Sequence, residues 1–290
     1  MSWTLWKERF SKGSLLVKND PELLFSMVRS KVQTNFFPSP TGKIIKQIGE
    51  VEIELDLSRA PQSKAMYYDA YEPTTMKIMK KCLKPGDTFI DVGASIGYVS
   101  AVAANCVGKR GQVHSFEPSP RDFKCLQELP LKNPDFKIFV NPCALGEEAC
   151  EADLDISSLN WIGWNTMVPG FMRKNVLAET AKVSVMRLDD YLQEHSIKKV
   201  SLIKIDTEGY EFKVLKGLQR FFESSPALPL IICEVTPRVH ALLGTSLEEM
   251  SAFMKGFGYC SVSLLDQKTE VDLTQLKSLT DVLFVPGNLS

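Results

Sequence analysis

The sequence predicts a doubly wound α/β fold: a seven-stranded, mostly parallel sheet with helices on both faces, an N-terminal extension, and an insertion between the third and fourth core strands. Three observations predict it. Short apolar runs alternate with helical patterns from Thr88 onward, which is the rhythm of a parallel sheet covered on both sides. One run ends in an acid and passes through a glycine-bounded loop into a helix, at Asp91-Val92-Gly93-Ala94-Ser95-Ile96-Gly97. A hydrophobic fraction of 44% beside 24% charged residues supplies an ordinary globular core.

The elements follow in order. Asp20-Pro21-Glu22 reads as a helix start, with Asp20 as cap and Pro21 at the first helical position. Phe37 to Gly42 reads as a linker. From Glu50 to Leu57 apolar and acidic residues alternate strictly, the pattern of a half-buried antiparallel strand. We place the boundary of the extension there, with residues 1–65 forming it and 66–290 forming the main domain.

A helix carrying Met76, Met79, Cys82 and Leu83 follows Pro73 and stops at Lys84-Pro85-Gly86-Asp87. Core strands are expected at Thr88–Val92, Gln112–Glu117, Lys137–Asn141, Val200–Asp206, Leu230–Val235, Tyr259–Leu265 and Val282–Val285. Helices are expected at Gly97–Val107, Arg121–Leu129, Glu208–Phe222 and Leu247–Phe257, the last opened by a Ser246/Glu249 capping box. Residues 146–199 break the rhythm and read as an insertion with strands of its own.

Bulk properties narrow the function. Lys and Arg number 34 against 35 Asp and Glu, a net charge of −1. That is no general basic field, and no nucleic-acid partner is expected. The seven cysteines form no Cys-x-x-Cys pair, so they read as free thiols of a reducing compartment. No run is long enough to span a bilayer, and the first residues lack a signal-peptide apolar stretch. The chain is expected to be soluble and cytoplasmic, with no transmembrane segment.

The glycine loop carries most of the chemical information. In open α/β sheets ligands lie across the carboxyl ends of the strands, where strand order reverses. About twenty residues after Gly97 a second strand ends at Glu117, and an acid there can accept hydrogen bonds from ribose hydroxyls. A ligand-free tight turn is the bland alternative. A nicotinamide enzyme would show Gly-x-Gly-x-x-Gly facing a pyrophosphate, whereas Asp91 before this loop would oppose that anion. The same carboxylate suits S-adenosylmethionine, which carries an ammonium and a sulfonium and no phosphate.

The second unusual stretch is Leu202-Ile203-Lys204-Ile205-Asp206-Thr207-Glu208-Gly209-Tyr210-Glu211. Lys204 and Asp206 lie two apart on an otherwise apolar strand and share one face. Charges at a buried strand end persist only when paired. They form either a structural pair or part of a site at the edge of the sheet.

With both stretches in view the chain resembles the FkbM family of methyltransferases. The resemblance rests on Tyr71-Glu72-Pro73, Leu83 to Asp87, Phe89 to Tyr98, Phe116-Glu117-Pro118, Ala144-Leu145-Gly146, Leu188-Asp189-Asp190, Lys204 to Glu211, Val214 to Gly217 and Cys233-Glu234-Val235. It implies a class I, Rossmann-like methyltransferase fold with S-adenosylmethionine as cofactor. It also implies methyl transfer to a small-molecule acceptor, usually a hydroxyl of a sugar, polyketide or similar compound. Carried over by position, it puts Asp91, Gly93, Ala94, Ser95 and Gly97 around the methionine part, Glu117 on the ribose, and Asn141 to Ala144 along the adenine. At Ser95 the family usually has Asn, so an amide is lost there. Glu72, at a helix start before Pro73, reads either as a cap or, by the resemblance, as a cofactor-binding residue.

A hydroxyl acceptor needs a general base, and the candidates are Asp206, Glu208, Glu234 and His240. Asp206 and Glu234 are favoured as catalytic, with Lys204 orienting a carboxylate or the acceptor oxygen. Asp189 and Asp190 read as caps of the helix Tyr191–His195, and no metal is expected to be required. His114 reads as packing and His195 as a surface helix end. The aromatics of the insertion, Trp161, Trp164 and Phe171, with Asn165, either face the acceptor or anchor the loop. Two other classes are a catalytically silent cofactor-binding paralogue and a nucleotide-dependent oxidoreductase.

Overall fold

A computed structural model of the chain describes residues 40–59, 61–158 and 163–287, together with positions 25, 28, 29, 32, 33 and 36. The helix start at Asp20 and Trp161 lie outside the described residues. Strands β1 (Lys43–Ile48) and β2 (Val51–Asp56) form an antiparallel hairpin. The alternation of β2 buries Val51, Ile53 and Leu55, as its sequence predicts. Asn133 and Asn105 hold this hairpin by its backbone. Asn133 accepts from the Glu52 N–H at 2.8 Å and donates to the Glu52 and Leu129 carbonyls at 2.8 and 2.7 Å. Asn105 Oδ1 accepts from the Glu50 N–H at 3.1 Å.

Helices α1 (Pro61–Tyr67) and α2 (Pro73–Cys82) lead into β3 (Thr88–Val92), α3 (Tyr98–Val107) and β4 (Gln112–Phe116). Then come α4 (Pro120–Leu126), α5 (Glu128–Lys132) and β5 (Lys137–Asn141). A single helix was the expectation over Arg121–Leu129; Pro130 divides it, because its ring nitrogen cannot donate to Leu126. After the short β6 (Ala144–Leu145), strands β7 (Cys150–Ser157) and β8 (Leu177–Met186) pair antiparallel, and β6 joins β8 in a separate three-stranded sheet. The insertion thus has strands of its own, as expected.

The chain returns through α6 (Leu188–Glu194), β9 (Leu202–Ile205), α7 (Glu211–Lys216), α8 (Gln219–Ser224) and β10 (Leu230–Val235). It ends with α9 (Pro237–Leu243), α10 (Leu247–Gly256), β11 (Tyr259–Ser263) and β12 (Thr280–Pro286). The Ser246/Glu249 capping box opens α10. Asp189 corrects an expectation: it lies inside the first turn of α6, and its carboxylate accepts from the Phe221 and Arg220 N–H groups at 2.9 and 3.1 Å. It therefore caps α8, a helix distant in sequence.

The central sheet is α/β and seven-stranded, in the order β11-β12-β10-β9-β3-β4-β5, with only β12 running against its neighbours. Alternate strand residues feed two cores. Phe89, Val113, Leu202 and Ile232 pack on one face with α3 and the hairpin; Ile90, Ile203 and Ile231 pack on the other with α6, α7 and α10. From β3 the chain proceeds outward to β4 and β5, then returns to β9 on the opposite side. The carboxyl ends of β3 and β9 are therefore the point where strand order reverses. Among the described residues no helix is long and apolar enough to cross a membrane.

Candidate active site at the strand-order reversal

The glycine loop sits at that reversal. Gly93 and Ala94 donate their N–H groups to the Phe116 carbonyl at 3.0 and 2.9 Å, which folds the loop over the ends of β3 and β4. Gly93 has φ +82°, and a Cβ on it would lie 1.8 Å from the Asp206 carbonyl oxygen. Gly97 has φ +90° and would press a Cβ on Leu126 at 2.8 Å. Both positions require glycine on backbone grounds. Ser95 between them is left-handed at φ 50°, and its buried hydroxyl has no hydrogen-bond partner among the described residues.

Glu117 braces the loop. Its two carboxylate oxygens accept from the Ser95 and Ser119 N–H groups, each at 2.8 Å. A carboxylate oxygen has two lone-pair sites, so each keeps one for a ligand. Burial, reinforced by Asp122, pushes the Glu117 carboxyl up to about 8. Asp91 is fully buried, with Oδ2 accepting from Ser100 at 2.6 Å and Oδ1 without a partner among the described residues. Burial raises it to about 6, against the opposing pull of Lys204.

The second stretch meets the first here, because Asp91 and Lys204 are register partners on β3 and β9. Lys204 is 4% exposed. Its ammonium lies 2.7 Å from Asp206 Oδ2 and 3.6 Å from Glu72 Oε2. Burial alone would lower the lysine's pKa, but Asp206 and Glu72 outweigh it and hold it well above its ordinary value. Glu72 itself occupies the N-cap of α2 in a left-handed conformation and makes no side-chain cap bond. Its carboxylate turns to Lys204 instead, so capping does not explain it.

Beyond Asp206 the edge is acidic. Asp206, Glu208 and Glu234 bring one carboxylate oxygen each within 4.8 Å of one another. Burial, then Asp206, pushes both Glu208 and Glu234 well above the carboxylate range. Glu211 is satisfied locally, accepting from the Thr207 and Gly209 N–H groups, each at 2.9 Å.

The glycine loop, Glu117 and the Lys204–Asp206 pair border one cleft. Gly93, Ala94, Ser95, Glu117, Ala144, Lys204 and Asp206 all line it. Other predicted residues lie elsewhere. Asp91 stands behind the loop. The Asn141 amide donates to the Ser115 carbonyl at 3.1 Å and approaches the Tyr191 hydroxyl. His240 meets the Thr245 hydroxyl at 3.0 Å. His114 bonds the Tyr191 hydroxyl within the core, where burial lowers its pKa to about 4. Met66, Leu154 and Met167 line the cleft without having been anticipated. The alternation of Leu154 and Ile156 along β7 marks a buried face, whereas nothing local marks Met66.

A model of the methyltransferase FkbM domain matches residues 91–260. The 31-O-demethyl-FK506 methyltransferase FkbM of Streptomyces tacrolimicus is 28% identical over 213 residues, covering 63% of this chain and 76% of that protein. Methyltransferase 1 of Beauveria bassiana is 30% identical over 152 residues, 46% of this chain and 59% of that protein. The hexuronic acid methyltransferase AglP of Haloferax volcanii is 22% identical over 153 residues, 53% of this chain and 59% of that protein. The chain thus spans less than two thirds of the latter two. Among solved structures, methyltransferase FkbM from Methylobacillus flagellatus KT superposes with a TM-score of 0.44 at 16% identity, covering 94% of this chain and 60% of that one.

Proposed function

The chain belongs to the FkbM methyltransferase family, and we propose that it methylates a hydroxyl of a small acceptor, a sugar or polyketide, using S-adenosylmethionine. One observation carries this reading: the glycine loop and the Lys204–Asp206 pair share one cleft at the strand-order reversal. The cleft suits the donor. The carboxylates of Glu72 and Asp206, with Asp91 buried behind the loop, outnumber the Lys204 cation there, a balance that favours a positively charged nucleoside. Glu117 retains acceptor capacity for ribose hydroxyls, and the unpartnered Ser95 hydroxyl offers a donor or acceptor to the methionine end. Ala144 gives a flat apolar wall for the base.

When bound, S-adenosylmethionine supplies a methyl group activated by its sulfonium. The protein's own share is alignment and proton handling. Asp206 accepts the hydroxyl proton of the acceptor. Lys204 fixes that carboxylate from one side and is itself fixed by Glu72. Glu234, driven by burial toward its protonated form, is a hydrogen-bond donor to the acceptor oxygen or to Asp206 and is not the base at neutral pH. The names of the Streptomyces and Haloferax relatives support a polyketide or sugar acceptor. Transfer of labelled methyl from the donor to a panel of neutral sugars, uronates and polyketide alcohols tests the reading. Label in none of them, with donor binding intact, removes the hydroxyl-acceptor assignment.

A further inference from the structure

Asp122 stands in the first turn of α4, fully buried, and groups from separate parts of the chain converge on its carboxylate. Asn165 of the insertion donates from Nδ2 to Oδ2 at 2.8 Å. Arg59, from the arm that follows the β1–β2 hairpin, places Nη2 3.6 Å from Oδ1. Arg121 donates to both oxygens at 3.0 and 3.1 Å, and a further guanidinium nitrogen donates to the Ser157 carbonyl at the end of β7. Ser157 N–H in turn donates to Asn165 Oδ1 at 3.1 Å.

The network adjoins the cleft. Asn165 and Gly163 line it, and a Cβ on Gly163 would come 3.9 Å from the Ser95 hydroxyl. The Arg59 arm continues into α1 and Tyr71, where Met66 and Tyr71 line the same space. Asp122 also reaches the ribose acid through Ser119, whose hydroxyl accepts from Asp122 N–H at 3.4 Å and whose own N–H donates to Glu117. A buried carboxylate costs much free energy unless it is paired and hydrogen-bonded. This one draws its partners from two segments that also supply lining residues of the cleft.

We propose that Asp122 is a positioning residue of the donor site, holding the insertion through Asn165 and the N-terminal arm through Arg59 closed over the bound nucleoside. The inference rests on the donor reading above. It predicts that the insertion is a working wall of the pocket and that the Asp122–Asn165 bond sets how long the nucleoside stays.

Calorimetric titration of S-adenosylhomocysteine into the full chain and into Asn165→Ala and Asn165→Asp tests it. Asn165→Ala removes the bond, and Asn165→Asp keeps the shape but sets a second carboxylate against Asp122. The expected order of affinity is wild type, then Ala weaker by roughly tenfold or more, as for a hydrogen bond to a charged group, then Asp weakest. A filler of space alone would give the reverse, with the isosteric Asp closer to wild type than Ala. That order, or both variants within twofold of wild type, overturns the proposal. Hydrogen exchange on the unaltered chain gives an answer even if a variant fails to fold: ligand must slow exchange at residues 154–157 and 165–167, and no slowing overturns the proposal. A wild-type chain that does not bind the probe refutes the donor reading itself, and this proposal with it.

Discussion

The α-carbon of Gly93 rests against the carbonyl oxygen of Asp206, so close that a side-chain carbon at position 93 would lie 1.8 Å from it. Backbone contact between the loop after β3 and the end of β9 is what brings the two informative stretches of sequence into one site. The Asp206 N–H completes the junction, donating to the Val92 carbonyl at 3.0 Å.

Gly93→Ala should therefore damage both halves of the site. The added carbon meets backbone, which cannot rotate away, in a left-handed conformation. A loss of about 2 kcal/mol or more is expected from overpacking and strain together. Urea unfolding measures it, and a Gly93→Ala chain of unchanged stability that still binds donor would show that the junction is slack.

Asp206→Asn should lower turnover by about a hundredfold or more, the usual contribution of a positioned base, while leaving donor affinity within a few-fold. Steady-state kinetics on an identified acceptor separates the two quantities. Loss of acceptor affinity at unchanged turnover would remove the base role from Asp206.

Lys204→Met should be more damaging to the fold than Asp206→Asn. It strands Asp206 and Glu72 beside a buried methionine, and breaking a buried pair by removing one partner costs about 3 kcal/mol. Asp206 is part-exposed, which reduces that figure. Thermal melting of the two variants side by side gives the order.

The pH dependence of stability has a definite sign. Burial raises the folded-state pKa of Asp91 to about 6, of Glu211 to about 7 and of Glu117 to about 8. An acid raised on folding binds its proton more tightly in the native state, so its contribution is full below the unfolded pKa and is lost as pH rises through the folded value. The histidines work the other way: His114, lowered by burial to about 4, gains stability as pH rises toward its unfolded value and adds no slope above that. Between pH 6.5 and 8 the acids alone decide the slope. The urea midpoint of the ligand-free protein should fall across that window; a flat or rising midpoint would mean these carboxyls are better solvated than their burial implies.

How much of this was legible in the sequence depended on range. β3, β5 and β10 match their predicted bounds to the residue, because each is an apolar run stopped by turn residues. β2 was legible from its alternation, but its partner β1 was not, since Ile44-Ile45 breaks the period of two. The helix expected across Glu208–Phe222 is split by tertiary packing: a Cβ on Gly217 would lie 2.2 Å from the Gly146 carbonyl oxygen, and the chain must bend there. Glu72 followed the same logic, since its turn toward Lys204 depends on a strand more than a hundred residues away. Asp122 gave no signal at all, because an acid in a first helical turn has an ordinary explanation in the helix dipole.

The most direct test is calorimetric titration of the wild-type chain with S-adenosylmethionine and, separately, with NAD. The cleft between Gly93, Glu117 and Lys204 predicts saturable one-site binding of the sulfonium compound, weakened by Glu117→Ala, and no measurable heat from the dinucleotide. Tight NAD binding with no response to S-adenosylmethionine would contradict the account at its root.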